Sequence, residues 1–389
     1  MIAILLFWLC VAAVFHSYIL FPLLLKLFAH LKSGQSVIHP APDAPPQVSI
    51  LMSAFNEEEV ISEKVRSAFS SRYPAEKFEI LVGSDGSSDR TPEILMELEK
   101  EFPALKSFVF SERRGKPNVI SLLAGKASGE ILVFTDANVL FDEDTLSQMM
   151  APFADPLMGL VDTRMINLGM KKEGISFQEK AYISREVGIK DLESRLWGTM
   201  MGPFGGCFAI RAKLFEPIPR NFLVDDFFLN MKVLESGYKA VNNPAACVYE
   251  DVSNDAAIEF RRKIRIATGN FQNLARFRKL LFSRRPGLSF CFWSHKVLRW
   301  IGPLFILGAL FSLIFIAFTH PFYRILLIIN VVVLLIPGLD FALKKLNLHF
   351  PFFRFISHFL AMNLALAKGL LRYLKGVKTN VWQPTKRHQ

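Results

Sequence analysis

Apolar and polar positions divide the chain into three blocks with different rhythms. Residues 2–28 are almost continuously apolar and exceed the roughly 20 positions that a helix needs to cross a bilayer. The block lacks the basic start, short apolar core and small-residue cleavage site of a secretory leader, so an uncleaved anchor (residues 1–32) is the expectation. Lys26, His30 and Lys32 follow it and assign that end to the cytoplasm. Residues 33–46, rich in Pro, Ala and Ser, predict a linker. From 47 to about 290 short strand-like runs (47–54, 79–85, 106–111, 130–136) alternate with helical ones (57–72, a helix opening at Thr91-Pro92-Glu93, 117–127). Thr91 reads as an N-cap, with Pro92 and Glu93 in the first turn. This alternation predicts an α/β sheet with much parallel pairing.

The third block, 291–376, is apolar again. Residues 297–318 and 322–343 predict two spans, the second kinked or ended by Pro337. Lys344 and Lys345 fit a cytoplasmic loop. In 350–374, Arg354, His358, Lys368, Arg372 and Lys375 fall on one helical stripe. Such a stripe suits a helix at the membrane interface or one facing other protein, and a fourth span is the competing reading. The basic tail, 377–389, favours the interfacial one.

Composition agrees with the blocks. The chain is 51% hydrophobic with mean hydropathy +0.29, too apolar for an ordinary soluble enzyme. A net charge of +11 suits nucleic acid, a membrane surface or a phosphorylated substrate, and the apolar blocks select the membrane over nucleic acid. A transporter would need more spans, with ionisable groups inside them. Cys10, Cys207, Cys247 and Cys291 show no metal-binding spacing and are expected to be reduced.

Ligands of open α/β sheets bind beyond the carboxyl ends of the strands, and three polar groups stand at such ends: Asn56-Glu57, Asp85, and Asp136 with Asn138. Asp136 and Asn138 offer oxygens two residues apart, a pattern open both to a turn and to a hard cation such as Mg²⁺ or Mn²⁺. Lys116 begins a helix, where a cation and free backbone N–H groups favour an anion; a solvated basic loop is the plainer reading. Asp225 and Asp226 lie between apolar residues. Desolvation could raise a carboxyl pKa there enough to make a base, unless the pair only caps the following helix. Arg261, Arg262 and Arg265 stack on one helix and suit either a diphosphate or anionic lipid.

Together these residues resemble the family 2 glycosyltransferases, in particular the membrane-embedded branch of cellulose, hyaluronan and poly-N-acetylglucosamine synthases. Met52-Ser53-Ala54-Phe55-Asn56-Glu57-Glu58 is similar to that family's "PAYNEE", and Gly83-Ser84-Asp85-Gly86-Ser87-Ser88-Asp89-Arg90-Thr91 to its "DDGSTDxT" turn. Gly115-Lys116 matches the "GK" step, Asp136-Ala137-Asn138 the Asp-x-Asp position, and Val224-Asp225-Asp226 the "TED" position. The resemblance implies a GT-A fold, a nucleotide-diphosphate sugar donor (a UDP-sugar first) and inversion at the anomeric carbon. It implies donor contacts at Ala54, Glu57, Asp85, Lys116, Asp136, Arg262 and Arg265, and a divalent cation on Asp136 and Asn138. It further implies acceptor contacts at Gly205, Gly206 and Asp225, with Asp226 as the base. Trp382, Thr385 and Arg387 resemble a gating segment.

Departures from the pattern are Ser53 for Pro, Asp225 for Glu, Asn138 for Asp, and Arg261-Arg262-Lys263-Ile264-Arg265-Ile266 where polymerising synthases carry Gln-x-x-Arg-Trp, with Ile266 for the Trp. The last leaves acceptor type and processivity open. The implied protein is a multi-pass enzyme of the plasma or inner membrane with a cytoplasmic catalytic domain (47–290). It acts on a lipid-linked or growing glycan, possible partners being subunits of an envelope-glycan synthase. Transfer of one sugar to polyprenyl phosphate, and a silent nucleotide-sugar-binding subunit, are the alternatives.

Overall fold

A computed structural model of the chain describes residues 1–32, 44–168, 176–251, 256–346, 348 and 350–377. Its described residues fall into two compact units. One draws on 29–170 and 184–253, the other on 1–28, 171–183 and 254–376. Trp382, Thr385 and Arg387 lie outside the described residues.

The first unit is built on one eight-stranded sheet. In chain order its strands are β1 (Val48–Ala54), β2 (Phe78–Asp85), β3 (Leu105–Phe110), β4 (Ile131–Asp136), β5 (Val139–Phe141), β6 (Met158–Leu168), β7 (Cys207–Arg211) and β8 (Lys239–Asp251). Across the sheet they run β3-β2-β1-β4-β7-β6-β8-β5. The β3-β2-β1-β4 half is parallel. β1, β2 and β4 read as unbroken apolar runs because helices cover both faces of such a sheet, and Ile50, Val82 and Val133 are fully buried. The expected strands therefore form within a residue of their predicted bounds. β7 reverses the direction beside β4, so the second half is mixed.

The expected helix over 57–72 is shorter, Ile61–Phe69. The backbone before it turns at Asn56, with φ 53°, which an Asn tolerates better than most residues. Thr91 is not the cap of the helix Thr91–Glu101 either. The N-cap residue is Arg90, and Asp89 before it accepts the Thr91 N–H at 3.1 Å and its hydroxyl at 2.6 Å, which leaves Thr91 Oγ1 to accept the Glu57 N–H.

Among the described residues, two helices are long and apolar enough to cross a membrane: Ile2–Leu31 and Pro321–Lys345. The first carries a π-helical turn at His16–Leu20. The second continues past Pro337 to Lys345, so that proline neither ends the helix nor marks its boundary. The span expected over 297–318 is not one straight helix. The chain bends by 60° between Pro286–Trp300 and Gly302–Ile316, and the latter has only 15 residues. Gly302 and Pro303 at the break explain it, since neither holds a helix interior well. The helix Pro351–Leu374 packs against Ala256–Phe277: Gly369 lies where a Cβ would meet Ala267 Cβ at 2.4 Å, Tyr373 stacks on Phe271, and Lys368 Nζ sits 5.3 Å over the Phe260 ring. The face it buries there carries Ala365 and Gly369, whereas Lys368, Arg372 and Lys375 of the polar stripe stay exposed.

Candidate active site

Parallel pairing delivers three strand ends to one rim. In register Ser53 of β1 pairs with Asp136 of β4, and Ala54 with Ser84 of β2, so Ala54, Asp85 and Asp136 end on the same level. The β1 and β2 loops then lock together. The Ser88 N–H donates to Asn56 Oδ1 at 2.9 Å, the Glu58 N–H to Asp89 Oδ2 at 3.0 Å, and the Arg90 N–H to Glu58 Oε2 at 3.0 Å.

Asp85 is buried, and both its oxygens accept backbone N–H groups, from Arg114 at 2.6 Å and Gly115 at 2.9 Å. Charge-assisted bonds of this kind are strong and fix a loop. Gly115 supplies the φ of 84° that turns the chain into the helix Lys116–Ala124. Lys116 is thereby aimed at the rim, where its Nζ donates to Asp136 Oδ1 at 2.5 Å. Burial works against the Lys116 ammonium, but Asp136, Asp225 and Asp226 around it hold its pKa above the usual lysine value. The lysine stays charged, a fixed cation among three carboxylates.

Asp225 and Asp226 open the helix Asp225–Glu235. Asp226 is half-buried, and its Oδ1 accepts the Phe227 N–H at 2.7 Å. Burial, and then the neighbouring Asp225, push its pKa up to about 7, with Asp162 adding to the rise and Lys116 opposing it. A carboxyl poised there can take a proton near neutral pH. Neither aspartate caps the helix: its N-cap is Val224, without a side-chain cap bond, and both carboxylates stand in the first turn.

Gly205, with φ 85°, places its Cα so close to Asp226 that a Cβ would stand 2.4 Å from Oδ2. Gly206 is as tightly held by Met165, whose Cε would lie 2.2 Å from an added Cβ. Gly205→Ala is therefore expected to displace the Asp226 carboxylate and to lower stability by about 1–3 kcal/mol through backbone strain. Thermal melting and the pH profile of turnover check it; an unchanged profile would separate Gly205 from the site.

Asn138 donates from Nδ2 to Glu250 Oε1 at 3.3 Å, which commits its amide nitrogen and fixes which way its carbonyl oxygen turns. Asp136 keeps 30% of its side chain exposed on the rim. No group of three or more His, Cys, Asp or Glu side chains able to hold a metal occurs among the described residues. Two protein oxygens nevertheless fit a cation of the Mg²⁺ type, which commonly takes few protein ligands and completes its shell with water and phosphate oxygens.

Arg262 and Arg265 belong to the helix Ala256–Phe277 of the other unit, where Glu259 pairs with Arg262 at 3.6 Å and Lys263 at 3.2 Å. All four cysteines are free thiols, as their spacing implied. Sequence reading missed Glu250, the buried pair Asp162–Lys190, Glu193 and Lys64. None lies in a recognisable pattern; each gains its place only from elements distant in the chain.

An eight-stranded mixed sheet, with carboxylates and a lysine on the C-terminal rim of its parallel half, is a GT-A fold. The mannosyltransferase PcManGT of Pyrobaculum calidifontis, solved with GDP-Man and Mn²⁺, shares the fold, with a TM-score of 0.70 at 22% identity over 95% of this chain and 99% of that one. Residues 49–218 match the model of glycosyl transferase family 2, and the chain carries a domain of that family. Among similar proteins are the probable glycosyltransferase YdaM of Bacillus subtilis, 26% identical over 60% of this chain and 59% of its own length, and the beta-monoglucosyldiacylglycerol synthase of Trichormus variabilis, 27% identical over 62% and 53%. A poly-beta-1,6-N-acetyl-D-glucosamine synthase of Staphylococcus aureus is 24% identical over 66% and 64%. The chain spans between half and two thirds of the length of these three relatives.

Proposed function

We propose that the chain is a membrane-bound inverting glycosyltransferase that moves a sugar from a nucleotide-diphosphate donor, a UDP-sugar first, to a lipid-linked or growing glycan acceptor. The observation that carries this reading is the half-buried Asp226, with a pKa near 7, beside the Lys116–Asp136 pair. In the reaction the acceptor hydroxyl gives its proton to Asp226 while its oxygen bonds to the anomeric carbon. The bond from that carbon to the diphosphate oxygen breaks, and its electron pair leaves with the nucleoside diphosphate. Lys116 stays charged throughout and offsets the charge that develops on the leaving group, the kind of preorganised stabilisation that dominates many enzymes. Asp136 and Asn138 would hold Mg²⁺ or Mn²⁺, which supplies further neutralisation of the diphosphate. Ala54, Glu57 and Asp85 are assigned to the donor, Arg262 and Arg265 to its diphosphate, Gly205, Gly206 and Asp225 to the acceptor, and Trp382, Thr385 and Arg387 to a segment closing over the donor.

Membrane residence is supported by the outward faces of the long helices, where Ile325 is 58% and Leu335 67% exposed. An apolar surface of that extent suits lipid. Relatives named for glycolipid and polysaccharide synthesis support an acceptor of that class.

The test is the purified full chain in lipid nanodiscs, supplied with Mg²⁺ or Mn²⁺ and a panel of UDP- and GDP-sugars. Release of a nucleoside diphosphate, with the product identified by mass spectrometry, is expected for at least one donor. A single-sugar product on polyprenyl phosphate would select the narrower alternative. Binding of nucleotide sugar with no turnover of any donor would make the chain a silent subunit.

A further inference from the structure

The loop that carries Gly205 is gripped from behind by a buried polar cluster. Lys190 and Glu193, on the helix Ser176–Trp197, are 2% and 0% exposed. Lys190 Nζ donates to Asp162 Oδ2 of β6 at 2.6 Å, an ion pair with almost no exposure on either side. The same Nζ lies 3.4 Å from the centroid of the Phe204 ring, next to Gly205. Glu193 Oε2 accepts the Met201 N–H at 3.0 Å. From the opposite side, Asn230 Nδ2 of the Asp226 helix donates to the Met200 carbonyl at 3.0 Å, and Gly202 abuts the Phe227 ring, where a Cβ would stand 2.5 Å from Cδ2. Residues 200–205 are thus clamped between the helix of Lys190 and the helix of Asp226.

A buried ion pair is costly for stability and is weak evidence of it, so its presence calls for another reason. Here the cation also faces an aromatic ring in a water-poor setting, where cation–π attraction is at its strongest. We infer that Lys190 is a positioning residue: by holding Phe204 it keeps Gly205 pressed against the Asp226 carboxylate and keeps water off that carboxylate. The inference rests on the proposed base role of Asp226. The charged groups facing Asp226 are Asp225 on its own helix, Lys116 at the neighbouring helix start, and Asp162 on β6. Loosening the clamp admits water to Asp226, which favours its ionised form and lowers its pKa.

The test uses the full chain in nanodiscs with Asp162→Asn/Lys190→Met, which removes both charges together, and separately Phe204→Leu, which keeps the ion pair and removes the ring. With the nucleotide sugar that the unaltered chain turns over, both variants are expected to bind the corresponding nucleoside diphosphate within about twofold of the parent. The expected loss in kcat is tenfold or more, with the acidic limb of the pH profile displaced to lower pH. Faster amide exchange at residues 200–206 is expected in both. An unchanged limb and unchanged kcat, with only the melting temperature altered, would make the cluster a structural core element and overturn the inference. If the unaltered chain turns over no donor, the proposed function fails on its own, and the amide exchange of Phe204→Leu still decides whether the ring holds the loop.

Discussion

Asp226→Asn is expected to lower kcat by about 10²–10⁴-fold, the usual worth of a general base, while nucleoside diphosphate binding survives. Asn keeps the size of the side chain and can still accept the Phe227 N–H, but it takes no proton from an acceptor hydroxyl. The pH dependence gives a second readout. With a folded-state pKa near 7, the unaltered chain has its base ionised only above that pH, so activity should climb through about pH 7. In the Asn variant that limb should vanish. The sign of the stability effect guards against confusion with unfolding. Because the folded pKa lies above the ~3.9 of an unfolded Asp, ionised Asp226 weakens the fold at neutral pH, so the Asn variant should melt no lower than its parent. Turnover and melting measured from pH 5 to 9 check all three points. A variant that keeps its activity would remove Asp226 from the chemistry.

Lys64→Met is expected to stabilise the protein, by about 2–4 kcal/mol near neutral pH. Lys64 is fully buried on the helix Ile61–Phe69, its Nζ has no hydrogen-bond partner among the described residues, and it sits 3.5 Å from the centroid of the Phe141 ring. Burial brings its pKa down to about 7, against smaller opposing effects from Cys207 and Asp136. The fall from 10.5 to about 7 sets a ceiling of about 5 kcal/mol, at 1.36 kcal/mol per pH unit. Between those two values the unfolded chain binds a proton that the folded chain lacks, so stability rises with pH over that range. Below about 7 the lysine is charged in both states and the full penalty applies. Met has a similar length and shape and no charge to desolvate. The variant should therefore melt higher than its parent, with the gap closing from pH 7 towards pH 10. A lower melting temperature for Lys64→Met at every pH would show that the contact with Phe141 outweighs the desolvation.

The chain's own order of residues carried the parallel half of the sheet, because buried strands read as apolar runs and their helices open with recognisable chemistry at Pro92 and Pro117. It carried the rim as well, since parallel strands bring Ala54, Asp85 and Asp136 to one level whatever surrounds them. Length and apolarity sufficed for the helices at Ile2–Leu31 and Pro321–Lys345. These are properties of neighbouring residues, and short-range signals of period and turn survive in a linear text.

Tertiary structure decided the rest. The Asp225-Asp226 pair was visible, but the burial of Asp226 and its neighbours Lys116, Asp162 and Gly205, all distant in sequence, come only with the fold. Asn138 was visible, but its orientation comes from Glu250 across the β5–β8 pair. The polar stripe of 350–374 was visible, but which face of that helix packs on Ala256–Phe277 was not: the small residues Ala365 and Gly369 turn inward, and Lys368, Arg372 and Lys375 stay exposed. Lys64 and Lys190 look like any surface lysine in the sequence, and become unusual only when the fold removes their water. Desolvation and the charge of a neighbour act through space over a few ångströms, so they are fixed by which distant segments meet.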